Sequence, residues 1–227
     1  MAETTNDDVV TIVLAAGRST RMAGGDKLWV ELDGAPVIAH ALRSLSTIDG
    51  LAALVIVGPE PRHEELRQLV DSDIEVRCVV GGARRQDSVA AGIAAAPEAA
   101  WYLVHDGARP LVTRELASRL LDAARAHGAA VPGVPVADTL KRVDDDGRVL
   151  ETVARATVRA VQTPQAFSGA LLRRAHADVT DDVTDDAAMI EALGEPVFVV
   201  EGDPANLKVT RPIDLELARS LLASWRD

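Results

Sequence analysis

Five short apolar runs, each followed by a polar turn and a helical pattern, constrain this chain more than any other feature. Val9 to Ala15 (VVTIVLA) is the first, and it is β-branched and continuous rather than alternating. That is the pattern of a strand buried on both faces. Runs at Ala53–Val57, Ile74–Val80, Trp101–Val104 and Ala129–Pro132 repeat it. Between them, helical spacing places Val37, Ile38, Ala41, Leu42 and Leu45 on one face after Pro36. Further helices are predicted through Leu66, Leu69 and Val70, over Asp87–Ala96, and from a Thr113 cap to His127. Strands alternating with helices at this spacing predict an α/β, doubly wound, mostly parallel sheet with helices on both faces. Ligands of such sheets bind at the carboxyl ends of the strands.

Three polar clusters follow strands directly, at 16–27, 81–88 and 105–109, so they are expected to converge on one crevice. Their charge stands out because the chain as a whole carries 24 Lys and Arg against 35 Asp and Glu, a net −11. Such a balance disfavours nucleic acid and anionic membranes as partners. Any phosphate chemistry must therefore gather its cations locally. Ala15, Ala16 and Gly17 let backbone approach a ligand closely, and Arg18, Arg21 and Lys27 place three cations within ten residues. Gly81 and Gly82 precede a helix that carries Ser88. Asp106, at the end of a central strand, is suited to hold Mg²⁺ against phosphates, with Arg109 close by. Lys208 reads as part of a short strand before the Pro212 helix start. Each cluster has an ordinary reading too: a βα turn, a capped helix, an Asp-Gly turn, a solvated edge lysine. The acidic group Asp181, Asp182, Asp185 and Asp186 is read as helix capping and dipole complementarity rather than a metal site. His105 reads as structural.

The rhythm breaks between Val136 and Val161. Asp138–Val143 and Arg148–Val153 read as two strands joined by an Asp144–Gly147 turn, with little apolar material to join a core. The expectation is a β-arm, about 136–160, on a single domain covering 1–227. Helices over Ser168–His176, Thr184–Leu193 and Pro212–Trp225, and a strand over Val197–Val200, complete the pattern. No apolar run is long enough to span a bilayer, the first eight residues are polar, and the one cysteine, Cys78, reads as a small core residue. These features point to the cytoplasm.

Zinc-ligand spacing, a nucleophile elbow and a candidate catalytic cysteine are all missing from the sequence. A phosphate-monoester acceptor needs none of them, since its oxygen is already anionic near neutral pH. Positioning two polyanions in line and neutralising the charge that grows between them is then the whole task.

The ordered motifs carry a resemblance. Ala15-Ala-Gly-x-x-x-Arg21-Met22 with Lys27 is similar to the signature loop of the sugar-phosphate nucleotidyltransferases. Gly81-Gly with Asp87-Ser88, His105-Asp-x-Ala-Arg-Pro110, Asp138-Thr139, Thr163-Pro-Gln165, Thr184-Asp and Asn206-x-Lys-Val-Thr-Arg-Pro212 narrow it. In that order, over nearly the whole chain, the set resembles the 2-C-methyl-D-erythritol 4-phosphate cytidylyltransferases of non-mevalonate isoprenoid synthesis. Ribitol-5-phosphate cytidylyltransferase is the nearest alternative, and a non-catalytic nucleotide-binding module a remote one. The resemblance implies CTP on Ala15, Ala16, Gly17, Gly81, Gly82, Ser88 and Asp106, with Mg²⁺ at Asp106. It implies transition-state stabilisation by Arg21 and Lys27. Arg109, Thr139, Thr163, Arg155 and Lys208 would hold the polyol phosphate. It further implies a homodimer with shared active sites, Arg155 reaching the neighbouring subunit on the arm. Two positions depart from the family loop: Ser19 stands where a second Gly is usual, and Asp26-Lys27-Leu28 where Pro-Lys-Gln is usual.

Overall fold

The computed structural model describes residues 7–17 and 26–225. Its elements run in the order β1 (Val9–Leu14), β2 (Glu31–Leu32), β3 (Ala35–Pro36), α1 (Val37–Leu45), β4 (Leu51–Val57), α2 (His63–Gln68), β5 (Glu75–Val79), α3 (Arg85–Ala95), β6 (Trp101–Asp106), α4 (Arg114–His127) and β7 (Ala129–Pro135). Then come β8 (Leu140–Val143), β9 (Val149–Val153), β10 (Arg159–Val161), β11 (Gln165–Ser168), α5 (Gly169–Asp178), α6 (Asp186–Ala192), β12 (Phe198–Glu201) and α7 (Pro212–Ser224).

An eight-stranded sheet forms the centre, in the order β10-β7-β11-β6-β1-β4-β5, with β12 also paired to β7. The β1–β4, β1–β6, β4–β5 and β7–β12 pairs are parallel. Alternate side chains of each strand feed two separate cores, as a pleated strand buried on both faces requires. Val9, Val13, Leu54, Ile56 and Leu103 pack with α1, α2 and α4 on one face. Val10, Ile12, Val55, Val57 and Tyr102 pack with α3, α5 and α6 on the other. Helix α3 lies so close to β1 that a Cβ at Gly92 would stand 2.6 Å from an Ile12 methyl. A third cluster, with Leu32, Val37, Val209 and Leu215, seats α7.

Several expectations change. The sheet is mostly parallel, as expected, but strand β11, to which the sequence reading assigned no strand, runs antiparallel between β6 and β7. Residues 202–210 form no strand, so Lys208 sits on an extended loop, tied down by the Val209 N–H donating to the Ala108 carbonyl at 2.8 Å. Helix α3 begins at Arg85, two residues before the expected start, because the Asp87 carboxylate accepts the Arg84 N–H at 3.0 Å. Cys78 is half-buried at the edge of a core rather than inside it, and burial raises its thiol pKa.

The segment expected as an arm is a separate two-stranded sheet, β8 with β9. The Asp144 carboxylate accepts the Arg148 N–H at 2.8 Å and Gly147 takes a positive φ of 82°, which closes the turn. Val143, Val149 and Leu150 on this hairpin are about half exposed. Among the described residues, no helix is long and apolar enough to cross a membrane.

Candidate active site

The loops after β1, β5 and β6 meet at the carboxyl ends of their strands, around a cavity of about 570 Å³. Ala16, Gly17, Lys27, Gly82, Ser88 and Asp106 line it, with Arg84, Arg85 and Lys208. Ala15 lies beneath, buried, its N–H donating to the Val57 carbonyl at 2.7 Å. Gly81 also lies beneath the surface lining: a Cβ there would stand 2.4 Å from the Ala16 Cβ and 2.9 Å from Ser88 Oγ. Only glycine lets the β5–α3 loop close on the β1 loop this tightly. Buried Ser88 then pins that loop, accepting the Gly82 N–H at 3.1 Å and donating to the Arg84 carbonyl at 3.2 Å. Among the described residues, nothing stands within 4 Å of a Cβ built on Gly17. The Asp26 carboxylate accepts the Leu28 N–H at 3.2 Å, closing the turn that carries Lys27. Arg18, Ser19 and Arg21 lie outside the described residues.

A second cavity, about 290 Å³, opens beside the first. Arg109, Gln162, Thr163, Gln165, Thr184 and Asp185 line its far part. Arg85, Asp106 and Lys208 line both cavities and so mark their junction.

Asp106 is the electrostatic centre of that junction. Lys208 Nζ lies 2.7 Å from its Oδ2, and Arg85 Nε 3.6 Å from its Oδ1. Burial alone would raise the pKa of this carboxyl, but Lys208, Arg85 and Arg109 hold it well below the usual carboxylate range. Behind it, Thr163 accepts the Asp106 N–H at 3.0 Å. His105 is fully buried between the Arg109 carbonyl, 3.1 Å from Nε2, and the Thr163 hydroxyl, 3.3 Å from Nδ1. A carbonyl can only accept, so Nε2 carries the hydrogen and Nδ1 accepts from Thr163. Burial pushes the His105 pKa down to about 4, which keeps the ring neutral at physiological pH. His105 is thus structural, as its sequence context suggests.

Asn206 holds this arrangement together: its side-chain amide donates to the Thr163 carbonyl at 2.8 Å, and its own carbonyl accepts from Arg109 Nη1 at 2.9 Å. Burial lowers the Arg109 pKa. Thr139 and Arg155 are exposed and line neither cavity; a guanidinium nitrogen of Arg155 donates to the Ala137 carbonyl at the base of the hairpin.

Arg85 of the junction and Asp186, buried behind it, carry no site role from sequence. Arg85 belongs to the Gly81–Ser88 segment, where only the glycines and the serine suggested a role. Asp186 was grouped with the capping acids. In the structure Asp185 is the cap, accepting the Ala188 N–H at 3.0 Å. Asp186 is instead fully buried, 2.6 Å from Arg85 Nη1 and 3.2 Å from His176 Nε2.

Backbone amides beside clustered cations and one ionised carboxylate, at the carboxyl ends of a mostly parallel sheet, suit the handling of a phosphate chain. Solved structures share the fold. The 4-diphosphocytidyl-2C-methyl-D-erythritol synthase of Anaerococcus prevotii superposes with a TM-score of 0.86 at 28% identity, covering 96% of this chain and 99% of that one. The 2-C-methyl-D-erythritol 4-phosphate cytidylyltransferase of Thermus thermophilus does so with 0.78 at 36% identity, covering 94% and 98%. The fold is that of a nucleotidyltransferase.

At the sequence level, the protein named 2-C-methyl-D-erythritol 4-phosphate cytidylyltransferase in Nocardia farcinica is 45% identical over 98% of this chain and 97% of its own length. Its namesake in Streptomyces coelicolor is 43% identical over 95% and 85%. Residues 9–224 match the family described as IspD, 2-C-methyl-D-erythritol 4-phosphate cytidylyltransferase, and the chain belongs to that family.

Proposed function

We propose that this protein transfers CMP from CTP to 2-C-methyl-D-erythritol 4-phosphate, giving 4-diphosphocytidyl-2-C-methyl-D-erythritol and pyrophosphate. The observation that carries this reading, beside family membership, is the junction: two neighbouring cavities share Arg85, Asp106 and Lys208. A reaction between two phosphate-bearing ligands needs such a meeting point.

CTP occupies the larger cavity, its phosphates against the backbone of Ala15–Gly17 and Gly81–Gly82, with Ser88 helping to read the base. The polyol phosphate occupies the smaller one, near Arg109, Thr163 and Lys208. An oxygen of its phosphate attacks the α-phosphorus of CTP, a new P–O bond forms, and the bond to the β-phosphate oxygen breaks as pyrophosphate leaves. Lys27 and Arg21 neutralise the charge that accumulates on the α-phosphate. No general base is required, because the attacking oxygen is anionic, and neutral His105 has both ring nitrogens engaged.

Mg²⁺ is the metal this donor set fits. Among the described residues, no cluster of three His, Cys, Asp or Glu side chains forms a protein cage. Asp106 offers one carboxylate, whose Oδ1 stands 3.6 Å from Arg85 Nε, beyond hydrogen-bond range. One carboxylate plus substrate phosphates is how Mg²⁺ is commonly held. Its chemistry there would be neutralisation of phosphate charge. The protein is proposed to act as a homodimer, with Arg155 and Thr139 of the partner subunit completing each acceptor cavity. Their exposure outside both cavities of their own chain supports that reading, as do the half-exposed apolar residues of the hairpin.

The decisive experiment incubates the protein with CTP, Mg²⁺ and either methylerythritol 4-phosphate or ribitol 5-phosphate, and measures pyrophosphate. Faster release with the methylerythritol substrate is expected. A preference for ribitol phosphate would reassign the acceptor, and no release with either would overturn the transfer reaction. Asp106→Asn is expected to weaken Mg²⁺ dependence, with partial rescue by excess Mg²⁺. Metal dependence equal to the parent would remove Asp106 from the metal.

A further inference from the structure

Arg85 makes lopsided use of its guanidinium. Nη1 donates to Asp186 Oδ2 at 2.6 Å. The opposite edge, Nε with Nη2, is the side-on fork that grips an oxyanion through two parallel hydrogen bonds. That fork has little to hold. Nε is 3.6 Å from Asp106, beyond hydrogen-bond range, and Nη2 is shut off from solvent with no partner among the described residues. A buried, charged donor without an acceptor is costly, so the arrangement points to an acceptor that arrives with a ligand and reaches Nη2 once the atoms covering it give way.

The anchoring is unusually firm. Asp186 is fully buried at the start of α6, 101 residues away in sequence, and its second oxygen meets His176 Nε2 at 3.2 Å. Asp186 therefore holds one end of the guanidinium while the fork stays at the junction of the two cavities. If the only task were to neutralise Asp106, that role is already filled by Lys208 at 2.7 Å.

Resting on the reading that the smaller cavity takes the acceptor, we propose that Arg85 binds the reacting phosphate monoester of the acceptor through its Nε–Nη2 fork. Asp186 and His176 are positioning residues that aim it. Arg85 thus joins Lys208 on the phosphate that must stand in line with the nucleotide.

The test is equilibrium binding to the nucleotide-free full-length protein by calorimetry, using methylerythritol 4-phosphate and inorganic phosphate as probes, with CTP titrated separately. Arg85→Gln removes the charge but leaves Asp186 buried and uncompensated, so the double variant Arg85→Gln with Asp186→Asn removes both charges. Thermal unfolding establishes which variants fold. The expected result is a loss of about tenfold or more in affinity for both phosphate probes in each folded variant, with CTP affinity held within about threefold. Arg85→Lys, which keeps the charge but not the fork, should recover only part.

Parent-like phosphate binding in the double variant would reduce Arg85 to a counter-ion of Asp186 and overturn the proposal. An equal loss of CTP affinity would assign the fork to the nucleotide and also overturn it. If neither Gln-containing variant folds, Arg85→Lys decides, and unchanged phosphate affinity there refutes the fork. Turnover by the parent protein is measured independently. Phosphate binding that depends on Arg85 without any transfer would sink the proposed reaction and leave this assignment standing. Transfer with Arg85-independent binding would do the reverse.

Discussion

Lys208 Nζ and Asp106 Oδ2 stand 2.7 Å apart, joining residues 102 positions distant in sequence at the point where the two cavities meet. The pair gives each group a second occupation. Lys208 neutralises Asp106 when no ligand is present, and a cation binding that carboxylate must compete with it. Lys208→Ala should therefore tighten Mg²⁺ binding to the nucleotide-free protein severalfold, measured by calorimetry. The same variant should lose at least about 10²-fold in turnover, the scale for removing a donor from a transition state. Unchanged Mg²⁺ affinity would mean that the carboxylate does not meet the metal.

Gly81→Ala tests whether the two ligand loops must touch. The added methyl would meet Ala16 Cβ at 2.4 Å and Ser88 Oγ at 2.9 Å, neither of them the far end of a flexible chain. The loops must then part, at a cost of about 1–3 kcal/mol. A drop in melting temperature together with weaker CTP binding is expected. Parent-like values for both would show that the contact is slack.

The sheet and the crevice were largely legible in sequence, for a local reason. Strands such as Val9–Leu14 are apolar on both faces, and the loops after them carry their glycines and cations within a few residues. What was not legible depends on partners far along the chain. Gln165–Ser168 has only four residues after Thr163-Pro164, and nothing local says that it inserts antiparallel between β6 and β7. Lys208 was expected on a strand because its neighbours look extended, yet the segment is held by single contacts such as Val209 to Ala108. The Arg85–Asp186 pair spans 101 residues, and Asp186 stands beside a capping aspartate that already explained the acidic run. The Asp33-Gly34 turn of the β2–β3 hairpin did leave a signal, an Asp-Gly pair with positive φ of 53° and 77°, but strands of two residues carry no periodicity.

His105 predicts how stability follows pH. Burial lowers its pKa from 6.5 to about 4, so the folded chain resists a proton that the unfolded chain accepts. The stabilisation is complete above about pH 6.5, is lost progressively as pH falls towards about 4, and amounts to about 3 kcal/mol. Denaturant unfolding of the parent in EDTA should become easier across that window. His105→Gln should flatten that part of the profile, since glutamine takes up no proton. An equal slope in both proteins would place the titration elsewhere.

The last prediction concerns assembly. The β8–β9 hairpin is a lone two-stranded sheet with Val143, Val149 and Leu150 half exposed, and such a hairpin is marginal in water unless something covers it. Pairing with its copy across a two-fold axis would cover it and would carry Arg155, at its base, towards the neighbouring cavity. Lys208 meanwhile lines the cavities of its own chain. Arg155→Ala and Lys208→Ala homodimers should then each be nearly inactive. In a mixed dimer, the site on the Arg155→Ala chain keeps its own Lys208 and receives an intact Arg155 from its partner, while the other site lacks both. Random mixing of equal amounts should restore about a quarter of the sites. If Arg155 served its own chain, every site in the mixture would lack one residue and nothing would return. Subunit exchange, followed by fluorescence energy transfer between labelled chains, makes the measurement decisive: confirmed exchange without recovered pyrophosphate release would refute the shared site.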